Sequence, residues 1–383
     1  MSRVKGFEDC ITYESILNMV EEAKAIAIKR AINLQRESKA SKPIYKSIIS
    51  RTGRVINTIL RRLGFELRRY AGYRIYRING HEKALAIDFL EYALLTKPTL
   101  CLDVFDKRDR VEVLKFVRNK VYCALLSSVD PALLFDSRDL ELQRGYKILK
   151  NSVKKKGDHY VLKTDDKEAR EYKLPVNHFE VPVFYHKYGL PELPRETIKK
   201  LEGRDFIDGG AFIGDSALVL SWYKPRKIYA FEPLSENYNL MLKTIRLNNL
   251  ESIVVPVKKA LGSTRGVLRI TQQGSSSFVS DIFKLDEGEK IEVVALDDFA
   301  EENSLEIGLI KLDVEGYELE ALKGAEETIK KHRPVMSIAL YHRGQDFFEI
   351  PRLVKSLVPE YKLRFLNLNA RSSFAERVLL AYT

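Results

Sequence analysis

No run of eighteen apolar residues occurs anywhere in this 383-residue sequence, so no transmembrane helix is expected from it. The opening residues, MSRVKGFEDCITYE, lack an apolar h-region and carry acids early, unlike a signal peptide. Cysteine is scarce: Cys10, Cys101 and Cys123 form neither a CxxC nor an even framework, which suits a reducing cytoplasm. Internal repeats and low-complexity tracts are missing too. What is present, 45% hydrophobic and 31% charged residues, describes a globular protein long enough for two domains, each with its own core.

Charge divides the chain. Residues 1–175 hold 36 Lys/Arg against 23 Asp/Glu, a balance of +13, whereas residues 176–383 hold 28 against 30, a balance of −2. The pattern of elements divides it similarly. Residues 1–155 read as a basic, mainly helical domain, with Ile16, Met19, Val20, Ala23, Ile26, Ala27 and Leu34 on one face of a first helix. A second helix is expected from Pro43 to Gly64, and two more in HEKALAIDFLEYALL and DRVEVLKFVRNKVYCALLSSV. Residues 156–203 read as a β-hairpin, HYVLKTDDKEAREYKL, and a proline-punctuated connection. From residue 204 to 383 strands alternate with helices, which predicts a largely parallel sheet closed by an antiparallel hairpin at one edge.

The most informative stretch is RDFIDGGAFIGDSALVL, Arg204 to Leu220. A strand there breaks into Gly209, Gly210, Ala211 and Gly214 before a helix opens. Such a turn usually receives phosphate, but Asp208 and Asp215 flank the glycines and would repel a pyrophosphate, and the spacing is not GxGxxG. The two acids favour a cationic ligand instead. S-adenosylmethionine, with its ammonium and sulfonium, meets that condition, and Glu232 in IYAFEP, followed by Pro233, lies where a strand-end acid would hold a ribose. Asp215 also reads as a helix-start residue near the dipole.

A second acidic strand end is IKLDVEGYELEALKG. In extended backbone Asp313 and Glu315 would share one face at the pocket rim, able to bind a cation or to tune one another as acid and base. Glu318 and Glu320 read as residues lining a helix start.

Together FIDGGAFIGDSALVL, IYAFEP, Asn248-Asn249, VVALDDF, IKLDVEGYELEALKG and RPVMSIALYH resemble the FkbM family of S-adenosylmethionine-dependent methyltransferases, over roughly Val176 to His342. The resemblance implies an α/β fold, a Rossmann-like seven-stranded methyltransferase sheet, here with the mainly helical N-terminal domain added. It implies that Asp208, Gly210 and Gly214 shape the methionine pocket, that Glu232 holds the ribose, and that Asp313 and Glu315 face the transferred methyl. One departure is Gly209-Gly210-Ala211-Phe212, where members commonly have Val-Gly-Ala-Asn. No (D/N)PPY occurs and no cysteine lies beyond Cys123, so attack by a hydroxyl oxygen with a general base remains. Asp313, Glu315 and His342 are the candidate bases. A divalent metal at Asp313 and Glu315 stays open, but the sequence offers no third ligand for it and no residue is assigned to a metal. The polar stretch TQQGSSSFVSD reads as a loop, either a solvated turn or a contact to the acceptor.

Between Lys42 and Arg77 ten Lys/Arg face a single acid, Glu66, with Tyr45, Phe65, Tyr70, Tyr73 and Tyr76 interleaved. Three readings stand: weak, non-specific nucleic-acid binding, peripheral contact with a membrane surface, and a helix with a solvated basic face. Two functions follow. The first is O-methylation of a glycan, lipid-linked or free, or of another small hydroxylated acceptor in the cytoplasm. The second is RNA ribose methylation with the basic half gripping the strand. The oligomeric state is not legible.

Overall fold

The computed structural model describes residues 10–40, 66–70, 73–126, 128–164, 170–273, 276–279 and 288–383. The expected helix from Pro43 to Gly64, and most of the basic segment with it, lies outside those residues.

Seven strands form the central sheet: β1 (Asp205–Gly209), β2 (Lys227–Phe231), β3 (Val254–Val257), β4 (Ile307–Leu312), β5 (Val335–Ala339), β6 (Lys362–Asn367) and β7 (Arg377–Tyr382). Their spatial order is 3-2-1-4-5-7-6. The first five run parallel, and β7 inserts antiparallel between β5 and β6. Every residue of β1, β4, β5 and β7 is buried, as continuous apolar runs predict for strands covered on both faces. Strand order reverses between β1 and β4, and sheets of this kind take their ligands beyond the carboxyl ends at such a point. This is the α/β, seven-stranded sheet that the resemblance implies.

Helix α1 (Tyr13–Ala40) follows the expected span, with Ile16, Met19, Val20 and Ala23 buried and Ile26 packed beside them, but Ala27 faces solvent. Helices α2 (Gly80–Thr96) and α3 (Arg110–Leu125) also match; Asn79 caps α2 by accepting from Glu82 N at 2.8 Å. These helices do not close a core of their own. One apolar cluster runs from Ile16, Phe89 and Phe116 through Ile338, Phe347 and Phe365 of the sheet half. Buried polar contacts cross the same seam: Arg364 Nε donates to Asp109 Oδ2 at 2.5 Å, and Asn119 Nδ2 donates to Ser373 O at 2.7 Å. The expectation of two separate cores is corrected here, because the β6 edge and the helix after β5 supply the apolar faces that α2 and α3 need.

Three further local expectations change. Cys10 and Cys101 form a disulfide between two short antiparallel strands, so the cysteine count does not support a reducing compartment; only Cys123 is free. Glu66–Tyr70 and Tyr73–Arg77 pair as an antiparallel hairpin rather than continuing a helix, as alternating Tyr and Ile favour. Thr271–Gln273 and Ser276–Val279 are paired strand segments, not a polar loop. The hairpin read in residues 159–174 forms as expected, His159–Lys163 against Glu171–Leu174. Among the described residues no helix is long and apolar enough to cross a membrane.

Candidate active site

The glycine turn after β1 is set by close approach. Gly210 has φ +74°, and a Cβ there would sit 1.9 Å from the carbonyl oxygen of Asp313, so only glycine lets the turn meet the end of β4. Gly214 (φ +82°) opens helix α4 (Asp215–Leu220), where a Cβ would crowd Met241. Gly210 N and Ala211 N both donate to Phe231 O, at 3.1 and 2.9 Å, which ties the turn to β2. Gly209 closes β1, and Ala211 is fully buried.

Asp208 is wholly buried, and the cation it attracts belongs to the protein itself. Lys311 Nζ stands 3.2 Å from Asp208 Oδ1 and donates to Gly210 O at 2.7 Å. Ser216 Oγ donates to Asp208 Oδ2 at 2.5 Å. Asp208 thus supports the turn from beneath. Asp215 is the first residue of α4, and its Oδ1 accepts from the neighbouring Ser216 amide. Burial pushes its carboxyl up to about 7, opposed by His178.

Glu232 sits just past the end of β2 and is 4% exposed. Its oxygens accept from Phe212 N and Leu234 N, both at 3.0 Å, and from Asn237 Nδ2 at 3.4 Å. Burial raises its carboxyl to about 7 against those bonds. Pro233, half-buried, follows it. Phe212 takes φ +47°, and its ring lies 5.1 Å from that of His178, which comes from the connecting segment.

At the end of β4 the geometry differs from the expected strand alternation. The strand stops at Leu312, and Glu315 (φ +55°) and Gly316 (φ +94°) make a turn. His342, three residues past β5, nevertheless faces both acids. Its Nε2 lies 3.7 Å from Asp313 Oδ1 and 3.5 Å from Glu315 Oε2. Behind the ring, His342 Nδ1 meets Glu318 Oε1 at 2.9 Å. Glu318 opens helix α5 (Glu318–Lys323), is fully buried, and accepts from Val314 N at 2.8 Å and Gly316 N at 2.9 Å. It is the site residue that sequence reasoning missed, read as one of two acids lining a helix start. Its signal, an acid three residues after Glu315 at a helix N-terminus, is the ordinary one for capping. Burial raises Glu315 to about 7, while His342 is pulled down by burial yet lifted to about 10 by Glu318, Glu315 and Asp313. Tyr341 Oη lies 3.3 Å from Asp313 Oδ1 and 3.2 Å from Glu376 Oε1, with one proton to donate to either.

The structure therefore sets His342 beside both Asp313 and Glu315, with Asp215 at the start of α4 and Glu232 just past the end of β2. A carboxylate-rich mouth beyond the carboxyl ends suits a cation and gives a hydroxyl several proton acceptors.

Residues 208–365 match the family described as the methyltransferase FkbM domain. The hexuronic acid methyltransferase AglP of Haloferax volcanii is 25% identical over 46% of this chain and 70% of its own length. The methyltransferase sdnD of Sordaria araneosa is 31% identical over 37% of this chain and 65% of its own. A crystal structure of a methyltransferase FkbM from Methylobacillus flagellatus KT superposes with a TM-score of 0.39 and 19% identity, covering 69% of this chain and 65% of that one. A methyltransferase FkbM domain is thus what residues 208–365 of this chain are similar to.

Proposed function

We propose that this protein is an S-adenosylmethionine-dependent O-methyltransferase acting on a hydroxyl of a glycan or another small hydroxylated acceptor. The observation that carries the reading is the placement of His342, backed by Glu318, beside both Asp313 and Glu315 at the carboxyl ends of β4 and β5. The neighbouring carboxylates support the cofactor reading: Asp215 and Glu232 would accept from its ammonium and ribose, and they would repel a phosphate. S-adenosylmethionine, when bound, supplies an electrophilic methyl group.

The protein's own residues do the rest. Glu232 holds the ribose, Gly210 and Gly214 let the cofactor approach the backbone, and the Asp208–Lys311 pair keeps the turn rigid. Glu315 is the most exposed acid of the cluster and, raised to about 7, is poised to take the acceptor's proton near neutral pH. Asp313 and His342 orient the hydroxyl, and positioning alone contributes much of the rate. The relation to a hexuronic acid methyltransferase supports a sugar hydroxyl as acceptor.

The test is to incubate the protein with methyl-labelled cofactor and fractionated cell extract and to follow the label. Label in glycan or glycolipid as a methyl ether supports the reading. Label confined to RNA, or found on nitrogen, overturns it.

A further inference from the structure

The end of the sheet away from the acids holds the opposite charge. One cavity there, of about 150 Å3, is lined by Lys200, by Arg204 just before β1, and by His332 and Arg333 just before β5. Gly308, near the start of β4, lines it as well, and no Asp or Glu does. The cavity therefore lies at the amino ends of β1, β4 and β5, roughly 20 Å along the strands from Asp313, Glu315 and His342. A single water needs about 10–15 Å3 of such space, so there is room for a ligand of several atoms.

Arg204 is built into this wall. The register of β4 against β1 shifts between Ile307 and Leu309, and a Cβ on Gly308 would stand 2.7 Å from Arg204 Cβ. A glycine at the irregularity thus lets the arginine lie against the strand. Arg204 Nη2 donates to Ile307 O at 2.8 Å and Nε to Glu306 O at 3.4 Å. Those bonds fix the guanidinium without neutralising it and leave most of its N–H groups for a ligand.

The other cations are as little compensated. Among the described residues Lys200 and His332 make no ion pair, and Arg333 meets Glu360 only at 3.7 Å between exposed side chains. The carboxylate of Thr383, which also lines the cavity, pairs with none of them. Asp205, buried at the start of β1, is spent on Arg226 Nε at 2.8 Å and Glu306 N at 2.9 Å. The surplus is felt by the His332 imidazole: burial, Lys331 and Arg204 lower its pKa in spite of Glu306 and Asp205. Thr197, 7% exposed, adds a hydroxyl that no hydrogen bond among the described residues uses.

We infer that this cavity binds the phosphate group of a small molecule, at a site separate from the strand ends that carry Asp313, Glu315 and His342. An ammonium, two guanidinium groups, an imidazole and a hydroxyl present more donors than the two oxygens of a carboxylate can use, and phosphate adds both oxygens and charge. The walls come from separated segments of the chain, a concave site of the kind that takes a small molecule rather than a polymer. The inference is independent of the methyltransferase reading.

The experiment is calorimetric titration of the full-length protein with inorganic phosphate and with glycerol 3-phosphate at physiological salt, beside thermal unfolding. One saturable site per chain and a raised thermal midpoint are expected. Lys200→Gln and Arg333→Gln, exposed enough to spare the fold, should each weaken binding about tenfold or more through loss of a charge-assisted contact. Arg204→Gln should weaken it at least as much. Lys243→Gln removes the same charge from an exposed position on another helix and should change nothing. Tighter binding of glycerol 3-phosphate supports the site with a phosphate monoester as ligand, and tighter binding of inorganic phosphate supports it with the free ion. No saturable binding of either at millimolar concentration overturns the inference, as does equal weakening in Lys243→Gln. Displacement of phosphate by S-adenosylhomocysteine would place it in the other site and overturn the inference too. A protein that binds phosphate as expected and ignores S-adenosylhomocysteine supports this site and removes the cofactor reading alone.

Discussion

Lys311 and Asp208 form an ion pair 3.2 Å apart on neighbouring strands, with side chains 1% and 0% exposed, directly beneath the glycine turn. Two strands of the sheet thus exchange charge where an external cation was expected to bind.

A buried pair is most costly when halved, because the survivor keeps its charge and loses its partner. Lys311→Met is therefore expected to cost about 3–5 kcal/mol and to lower the thermal midpoint, with the Gly209 and Gly210 carbonyls also losing their donor. Asp208→Asn combined with Lys311→Met should be less damaging than Lys311→Met alone. Thermal unfolding of the two single variants and the double decides; a double variant as unstable as the sum of the singles would show that the pair is not coupled.

Glu232→Ala removes the carboxylate proposed to hold the ribose. A charge-assisted bond is worth about 1.5–3 kcal/mol, so affinity for S-adenosylhomocysteine should fall roughly ten- to a hundredfold. Calorimetry measures it directly, and equal affinities would take Glu232 out of the cofactor site.

Glu315→Gln should retain the fold and S-adenosylhomocysteine binding while lowering turnover substantially, since an amide accepts no proton. Asp313→Asn should be at least as damaging, because Asp313 meets both His342 and Tyr341. The discriminating measurement is kcat against KM. Wild-type kcat in Glu315→Gln would leave Asp313 or His342 as the base.

Lys120 gives a prediction about pH. It is fully buried at the seam between the helical half and the sheet, donating to Tyr341 O at 2.7 Å and Leu85 O at 3.2 Å, and burial lowers it from 10.5 to about 7. Between about pH 7 and 10.5 the unfolded chain holds a proton that the folded one has released. Stability should therefore rise with pH across that window, by up to about 1.4 kcal/mol per pH unit from this group, and the penalty should be complete below pH 7. Lys120→Met should flatten the rise, though it leaves two carbonyls without a donor. Urea unfolding between pH 6.5 and 10 tests this, and parallel slopes in both proteins would mean that Lys120 keeps its proton.

Much of the sheet half was legible in the residues themselves. Continuous apolar runs such as IGLIKL and VMSIA can be satisfied only in strands covered on both faces, and the glycines after Asp208 mark a turn whatever surrounds it. The acids at strand ends were legible for the same local reason. The partnerships were not. His342 meets Glu318 across 24 residues, and Lys311 finds Asp208 across 103, only because β4 lies between β1 and β5. The N-terminal helices show their apolar faces in sequence, but the faces that cover them belong to β6 and the helix after β5, far along the chain. Cys10 and Cys101 are likewise joined across 91 residues by strand pairing. Periodicity and turn chemistry act over a few residues, so the sequence determined the elements and the polarity of their ends. Side-chain partners are chosen by strand order and packing, and only the tertiary structure decided which carboxylate is spent on the protein's own lysine and which stand beside His342.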